Sequence, residues 1–273
     1  MMGKASRGGR FVRGFYATLL FIFLYAPILV MIVYSFNSSK SLGVWGGFSL
    51  KWYQELFRDT EIMQALTNTL SIAAISALVS TVVGTAAAFG IHYMRKRSKS
   101  LVMSITNLPV INPDIVTGVS LLLLFVFVGF SLGYVSLLLA HISFCIPYVI
   151  ISVLPKLSRM NASTYEAALD LGANPVQAFF KAVLPEIMPS VLTGGLLALT
   201  LSIDDFVVSF FTTGPGVTTL SIHIYTMARR GIKPEINALS TIMFVVVFVL
   251  LLVVNLRTVK DERKDAKPKR PER

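Results

Sequence analysis

Charge is scarce in this chain of 273 residues: only 14% of them are Asp, Glu, Lys or Arg, while 54% are hydrophobic. Ordinary soluble domains carry about a quarter charged residues, so this composition excludes a water-facing surface over most of the chain. The mean hydropathy of +0.70 belongs to a membrane protein. Cysteine is nearly absent. Cys145 stands alone in an apolar run, which excludes an intramolecular disulfide and a cysteine-based metal cluster. The chain also lacks a G-x-x-x-x-G-K-[ST] phosphate loop, so it is expected to bind no ATP of its own. Acidic residues number 14 against 25 basic ones, a net charge of +11. The basic residues gather at the chain ends and in one short loop between apolar runs. That is the pattern of orientation charges near anionic lipid, and no nucleic-acid partner is expected.

Long apolar stretches are what the chain has in quantity. Six could cross about 30 Å of hydrocarbon as helices, near 15–36, 66–91, 101–130, 134–154, 189–211 and 236–257. The run from Phe15 to Phe36 is too long for a cleavable signal segment and reads as an uncleaved first span. The expected organisation is an all-α integral membrane protein: a short segment 1–14, a six-helix domain 15–257, and a disordered basic tail 258–273. Nineteen Lys and Arg residues fall on the side that holds both termini, the Arg95–Lys99 loop and the segment 155–188; six fall on the other. The positive-inside rule therefore places both termini and segment 155–188 in the cytoplasm.

Small residues at Ala73, Ala77, Ser80, Gly84 and Ala88 recur at nearly four-residue intervals in the second span, a face expected to pack against neighbouring helices. Between the first two spans, Trp45, Trp52, Tyr53, Leu56 and Phe57 beside Lys51 suit a helix lying among lipid headgroups.

Three carboxylates interrupt apolar spans: Asp114, Asp204 and Asp205. A charge at the centre of a span costs about 2.5–3.5 kcal/mol on insertion scales, so each is expected to face a cavity or a partner. Adjacent residues of a helix point about 100° apart. One of Asp204 and Asp205 is therefore expected in the pathway, and the other against a neighbouring helix or water. Asn112-Pro113-Asp114 reads as a helix start, with a capping side chain, a proline and an acid at the positive end of the dipole. The third span is then either broken beside a water-filled path or simply capped there. Without intramembrane Lys or Arg, the spans suit an organic cation, and Phe206 and Phe210, on one helical face, offer cation–π contacts or ordinary packing. His141 and Cys145, one helical turn apart, read as structural because no third group in the sequence orients them.

The segment 155–188 is a polar island with the grammar of a helical elbow. Glu166 to Leu171 forms a short helix, Gly172 ends it at positive φ, Val176 to Val183 forms a second amphipathic piece, and Pro185 stops that one. The spacing of Glu166-Ala167-Ala168, Gly172 and Leu184-Pro185 resembles the EAA loop of binding-protein-dependent ABC-importer permeases. Ala182 stands where that family carries a larger apolar residue, which implies a thinner contact to the ATPase. The runs Leu201–Ser209, Thr213–Gly216, Lys233–Leu239, Phe36–Ser39, Asn112–Val116 and His141–Cys145 resemble the spermidine/putrescine permeases of PotC/PotI type over about residues 12–257.

The resemblance implies a type I (MetI-like) permease in a bacterial cytoplasmic membrane. It implies a heterodimer with a second permease, two ATPase subunits that hold ATP and Mg, and an extracytoplasmic polyamine-binding protein. The chain itself would be no enzyme and need no cofactor. It would use Glu166, Ala167, Ala168, Gly172, Leu184 and Pro185 to meet the ATPase. Two alternatives stand beside a polyamine importer: a permease of the same family for ferric iron or an anion, and a stand-alone channel or secondary carrier.

Overall fold

The computed structural model describes residues 7–40, 43–230 and 234–265. Helices make up nearly all of it, and the only β feature among the described residues is an isolated bridge between Asn37 and Phe48. The chain divides into two units, residues 1–63 with 224–246 and residues 64–223 with 247–273.

The first unit begins with α1 (Arg7–Ser35), followed by the short α2 (Lys51–Arg58). The loop between them is organised by Asn37, whose side chain accepts from the Ser39 and Gly46 N–H groups and donates to the Val44 carbonyl. α2 turns inward two of the residues expected among headgroups. Its Trp52 and Leu56 are 1% and 2% exposed, and the Trp52 indole N–H donates to the Asn37 carbonyl at 2.6 Å. A buried indole needs such an acceptor, and the loop supplies it. Tyr53 bonds Ser35, while Trp45 and Phe57 remain exposed.

α3 (Thr60–His92) runs on into the second unit, which continues with α4 (Lys96–Ile111), α5 (Asp114–Phe127), α6 (Tyr134–Arg159), α7 (Ala162–Asp170), α8 (Pro175–Ala178), a π turn (Phe179–Val183), α9 (Leu184–Asp204) and α10 (Val207–Thr212). After them come α11 (Leu220–Arg230) and α12 (Pro234–Asp265). All five small residues of α3 are buried. A methyl group at Gly84 would lie 2.7 Å from Cβ of Val149, and one at Gly195 would lie 2.7 Å from Oγ1 of Thr81. Small residues thus let α3 approach both α6 and α9, as packing in lipid requires. The enclosed core joins Ala77, Ala88, Ile91, Val149, Val153, Leu157, Ile187 and Val191.

Among the described residues, four helices are long and apolar enough to span a membrane: 14–35, 60–92, 134–159 and 175–204. The expected third span is two helices, α4 and α5, bent by 107° at Asn112-Pro113. Asn112 ends α4 rather than capping α5; the N-cap is Pro113, without a side-chain bond, and Asp114 opens the helix. Proline bars the preceding residue from helical geometry, and that is enough to make the corner. The expected sixth span falls on α12, whose apolar stretch is Pro234–Val249 and which stays helical through Asp265. The remainder of the expected tail, 266–273, and the first six residues lie outside the described residues.

Two further expectations are corrected. The span expected at 189–211 breaks at Asp205, whose ψ of 129° is extended. Pro185, expected to stop a helix, sits instead in the first turn of α9, which continues the line of α8 through the π turn. Proline clashes with the carbonyl four residues before it in a regular helix. Here the π turn lengthens that loop, and the Leu184 N–H reaches back to the Phe179 carbonyl.

Candidate functional site: a carboxylate-lined cavity and a helical elbow

The break between α9 and α10 opens one wall of a cavity of about 290 Å³ in the second unit. Asp114, Asp204, Asp205 and Phe206 line it, with Tyr148 and Phe144 of α6 opposite. Three of the carboxylates and one of the phenylalanines singled out in the sequence therefore meet at a single place. Phe210 does not line the cavity. It is 47% exposed, with its ring 5.6 Å from that of Phe206. Both aspartates reach the cavity because the helix ends between them; the 100° offset expected along a continuous helix does not apply.

Their environments differ. Asp204 is exposed. The Asp205 side chain is only 8% exposed, and its two oxygens accept the Val208 N–H at 3.2 Å and the Ser209 N–H at 2.7 Å. These are first-turn N–H groups of α10, which have no partner within their own helix. Asp205 thus makes the break tolerable at membrane depth, where unsatisfied backbone groups cost several kcal/mol each. Asp114, in the first turn of α5, is exposed and sits where the helix dipole favours a negative charge.

His141, read from the sequence as structural, is tied to the cavity wall by partners the sequence did not disclose. It is 1% exposed, with Nδ1 at 2.6 Å from the Ser202 hydroxyl, Nε2 at 2.9 Å from the Ser209 hydroxyl, and Nε2 at 3.6 Å from Oδ2 of Asp205. The orienting groups absent from its own span come from α9 and α10, about sixty residues away in the chain. Only its place in an apolar run with Asp204 and Asp205 elsewhere hinted at this. Cys145 does not join the network; its thiol donates to the Ala198 carbonyl at 3.5 Å. Among the described residues no cluster of His, Cys, Asp and Glu could hold a metal ion.

The elbow forms a second feature. Asn161 caps α7 by accepting from the Ser163 N–H. At the other end Gly172, with φ +86°, closes a Schellman turn: its N–H bonds the Leu169 carbonyl, and the Ala173 N–H bonds the Ala168 carbonyl. Asn174 and Gln177 then cap α8 reciprocally. Glu166, Ala167, Gly172 and Pro185 are exposed, Ala168 and Leu184 half-buried, and Leu171 is 89% exposed. Behind the elbow, Phe89 at the end of α3 touches Tyr165 and Phe179 with ring centroids 5.7 and 4.7 Å apart. The Tyr93 phenol just beyond α3 is raised above its ordinary pKa, by burial first and then by Tyr165 and Glu166.

Residues 80–258 match the family described as the inner membrane component of binding-protein-dependent transport systems. The chain belongs to that family. The permease is 44% identical over 230 residues to the putrescine transport system permease protein PotI of Escherichia coli K12, covering 82% of each chain. It is 41% identical to the spermidine/putrescine transport system permease protein PotC of the same strain, covering 91% of the permease and 94% of PotC. Its fold matches that of a bacterial ABC transporter that imports the acidic polysaccharide alginate, with a TM-score of 0.69 at 19% identity, covering 95% of this chain and 97% of the other. It also matches a methionine ABC transporter, MetNI, with a TM-score of 0.60 at 19% identity, covering 74% and 98%. The permease is therefore a multi-pass inner-membrane transport subunit with the MetI-like fold of ABC importers.

Proposed function

We propose that the permease is the translocation subunit of an ATP-driven importer of polyamines, and that it houses no ATP site of its own. The observation that carries the cargo assignment is the cavity, in which three carboxylates converge with Phe206, Phe144 and Tyr148 and no Lys or Arg takes part. An organic cation satisfies the carboxylates, and its ammonium groups find aromatic faces nearby. The same wall is a poor fit to a carboxylated or phosphorylated cargo, which it would repel. The relatives named for putrescine and spermidine support the same choice.

The drive comes from outside the chain. ATP binding closes a pair of separate ATPase subunits on the cytoplasmic side, and the distribution of basic residues supports the same side for segment 155–188 and both termini. The exposed rim formed by Glu166, Ala167, Leu171 and Gly172 receives that motion. The Phe89–Tyr165–Phe179 contacts pass it to α3, and the π turn passes it to α9, at whose far end the cavity lies. A second permease subunit completes the path, and a polyamine-binding protein delivers cargo from the other side.

The test is uptake of radiolabelled putrescine and spermidine by cells carrying the whole transporter, with Asp204→Asn and Asp205→Asn compared. Loss of uptake in Asp204→Asn with the complex still assembled is expected. Wild-type uptake by both variants would overturn the cavity as the cargo path. Copurification of the permease with ATPase subunits tests the elbow, and transport by the isolated chain in liposomes would contradict it.

A further inference from the structure

The two adjacent aspartates are not equivalent, and His141 is what separates them. Asp205 has both oxygens engaged by the α10 backbone and lies beside the imidazole, whereas Asp204 is exposed to the cavity. The tautomer follows from the neighbours. An Nε2 lone pair 3.6 Å from a carboxylate oxygen would be repelled, so Nε2 carries the proton and donates to Ser209, while Nδ1 accepts from Ser202. With its own proton committed to Nδ1, Ser202 accepts from the Ser76 hydroxyl on α3 at 3.0 Å. All four of these side chains are at most 2% exposed. A buried chain of hydrogen bonds therefore runs from the cavity wall at α10, through α6 and α9, to α3.

We propose that His141 is a positioning residue of the cation site. Through Ser209 and Ser202 it holds the α9–α10 break with Asp205 turned onto the backbone, and it leaves Asp204 and Asp114 as the charges that meet cargo. This rests on the cation-import reading for its cargo but not for its geometry. The arrangement has a direct consequence: disturbing His141 acts on cargo affinity through Asp205 and not through Asp204. In a low-dielectric interior such a network is worth more than its separate bonds, and double-mutant cycles are the means of apportioning it.

The experiment uses the intact transporter with its partners, reconstituted in liposomes, and measures KM and Vmax for putrescine. His141→Phe is expected to raise KM about tenfold, the scale of one hydrogen bond in a charged network, with assembled yield retained. His141→Gln, which keeps a donor and an acceptor, should recover most of that loss. The penalties of His141→Phe and Asp205→Asn should fail to add, while those of His141→Phe and Asp204→Asn should add. Additivity with Asp205, equal coupling to both aspartates, or a fall in Vmax with KM unchanged would overturn the proposal. If His141→Phe does not assemble, Ser209→Ala takes its place in the same cycles under the same criteria. Hydrogen exchange at the Val208 and Ser209 amides gives a readout independent of cargo. It should quicken in the His141 or Ser209 variant, and unchanged exchange would overturn the proposal. If the wild type takes up no polyamine, the cargo reading fails alone and the exchange measurement decides the role of His141.

Discussion

Gly172 and Gly214 are held for opposite reasons, and the contrast separates the elbow from the cavity wall. Gly172 has φ +86° and open space around the position where a Cβ would stand. Its constraint is conformational and local, set by the Schellman turn that ends α7. Gly214 follows α10, and a Cβ there would overlap the Leu132 carbonyl and crowd the Gly133 nitrogen. Its constraint is spatial and comes from a segment eighty residues away. The elbow is thus built from rules acting within a few residues. The cavity wall is built from contacts between distant parts of the second unit.

The largest effect is expected at Gly214. Gly214→Ala forces a methyl group into a backbone carbonyl, which has no rotamer with which to yield, and should cost about 3 kcal/mol or more. Purified complex should be scarce and melt early, and Gly214→Asn should be worse. At Gly172 the order reverses. Gly172→Ala strains the backbone by about 1–2 kcal/mol, whereas asparagine tolerates the left-handed region, so Gly172→Asn should come closer to wild type. Melting temperatures of the four variants test the comparison. Equal ranking of alanine and asparagine at both positions would break it.

Asp205 tests the same division by another route. Asp205→Ala removes the acceptor for two N–H groups at the start of α10 and should cost about 1–2 kcal/mol, the scale of a lost N-cap. Loss of stability should exceed that of Asp204→Ala, because Asp204 is exposed and caps nothing among the bonds described. Chemical or thermal denaturation of the two variants distinguishes them. If Asp204→Ala proved the more destabilising, the structural role assigned to Asp205 would be wrong.

What the sequence disclosed follows the same line between local and distant causes. The small-residue face of α3 was legible because a four-residue interval maps onto one side of a helix whatever lies opposite. The elbow was legible because a glycine after an amphipathic stretch is a stop signal that needs no partner. The corner at Pro113 was legible for a similar reason, although Asn112 took a different role. The break at Asp205 was not. Leu201 to Phe211 contains no glycine or proline, and its hydrophobicity reads as an uninterrupted span. What ends the helix is a carboxylate supported by His141 and Ser209, and sequence separation hides that pairing. The groups that orient His141 were hidden for the same reason. The aromatic and basic mixture around α2 was legible, but composition does not say which of its side chains are buried; Trp52 is, and the Asn37 carbonyl takes its indole N–H.

Pro185 gives the smallest effect and the sharpest test of which half of the second unit sets the geometry of the other. Its missing N–H and its ring favour the π turn at Phe179–Val183, and Pro185→Ala removes that pressure. Reverting to a regular helix would turn either the elbow or α9 by about 100°. α9 is held by the close approach of Gly195 to Thr81, by the Cys145 thiol on the Ala198 carbonyl and by Ser202 on His141. The elbow side is held by Phe179 against Phe89. With both ends fixed, the π turn should persist without its proline, and Pro185→Ala should change stability by less than about 1 kcal/mol, within the range of most substitutions that leave packing intact. The Leu184 amide should remain protected by the Phe179 carbonyl. Should that protection be lost instead while the complex stays assembled, the proline is the cause of the π turn, and the elbow is free to rotate when it is removed. The packed wall around the cavity would then not dictate the position of the elbow.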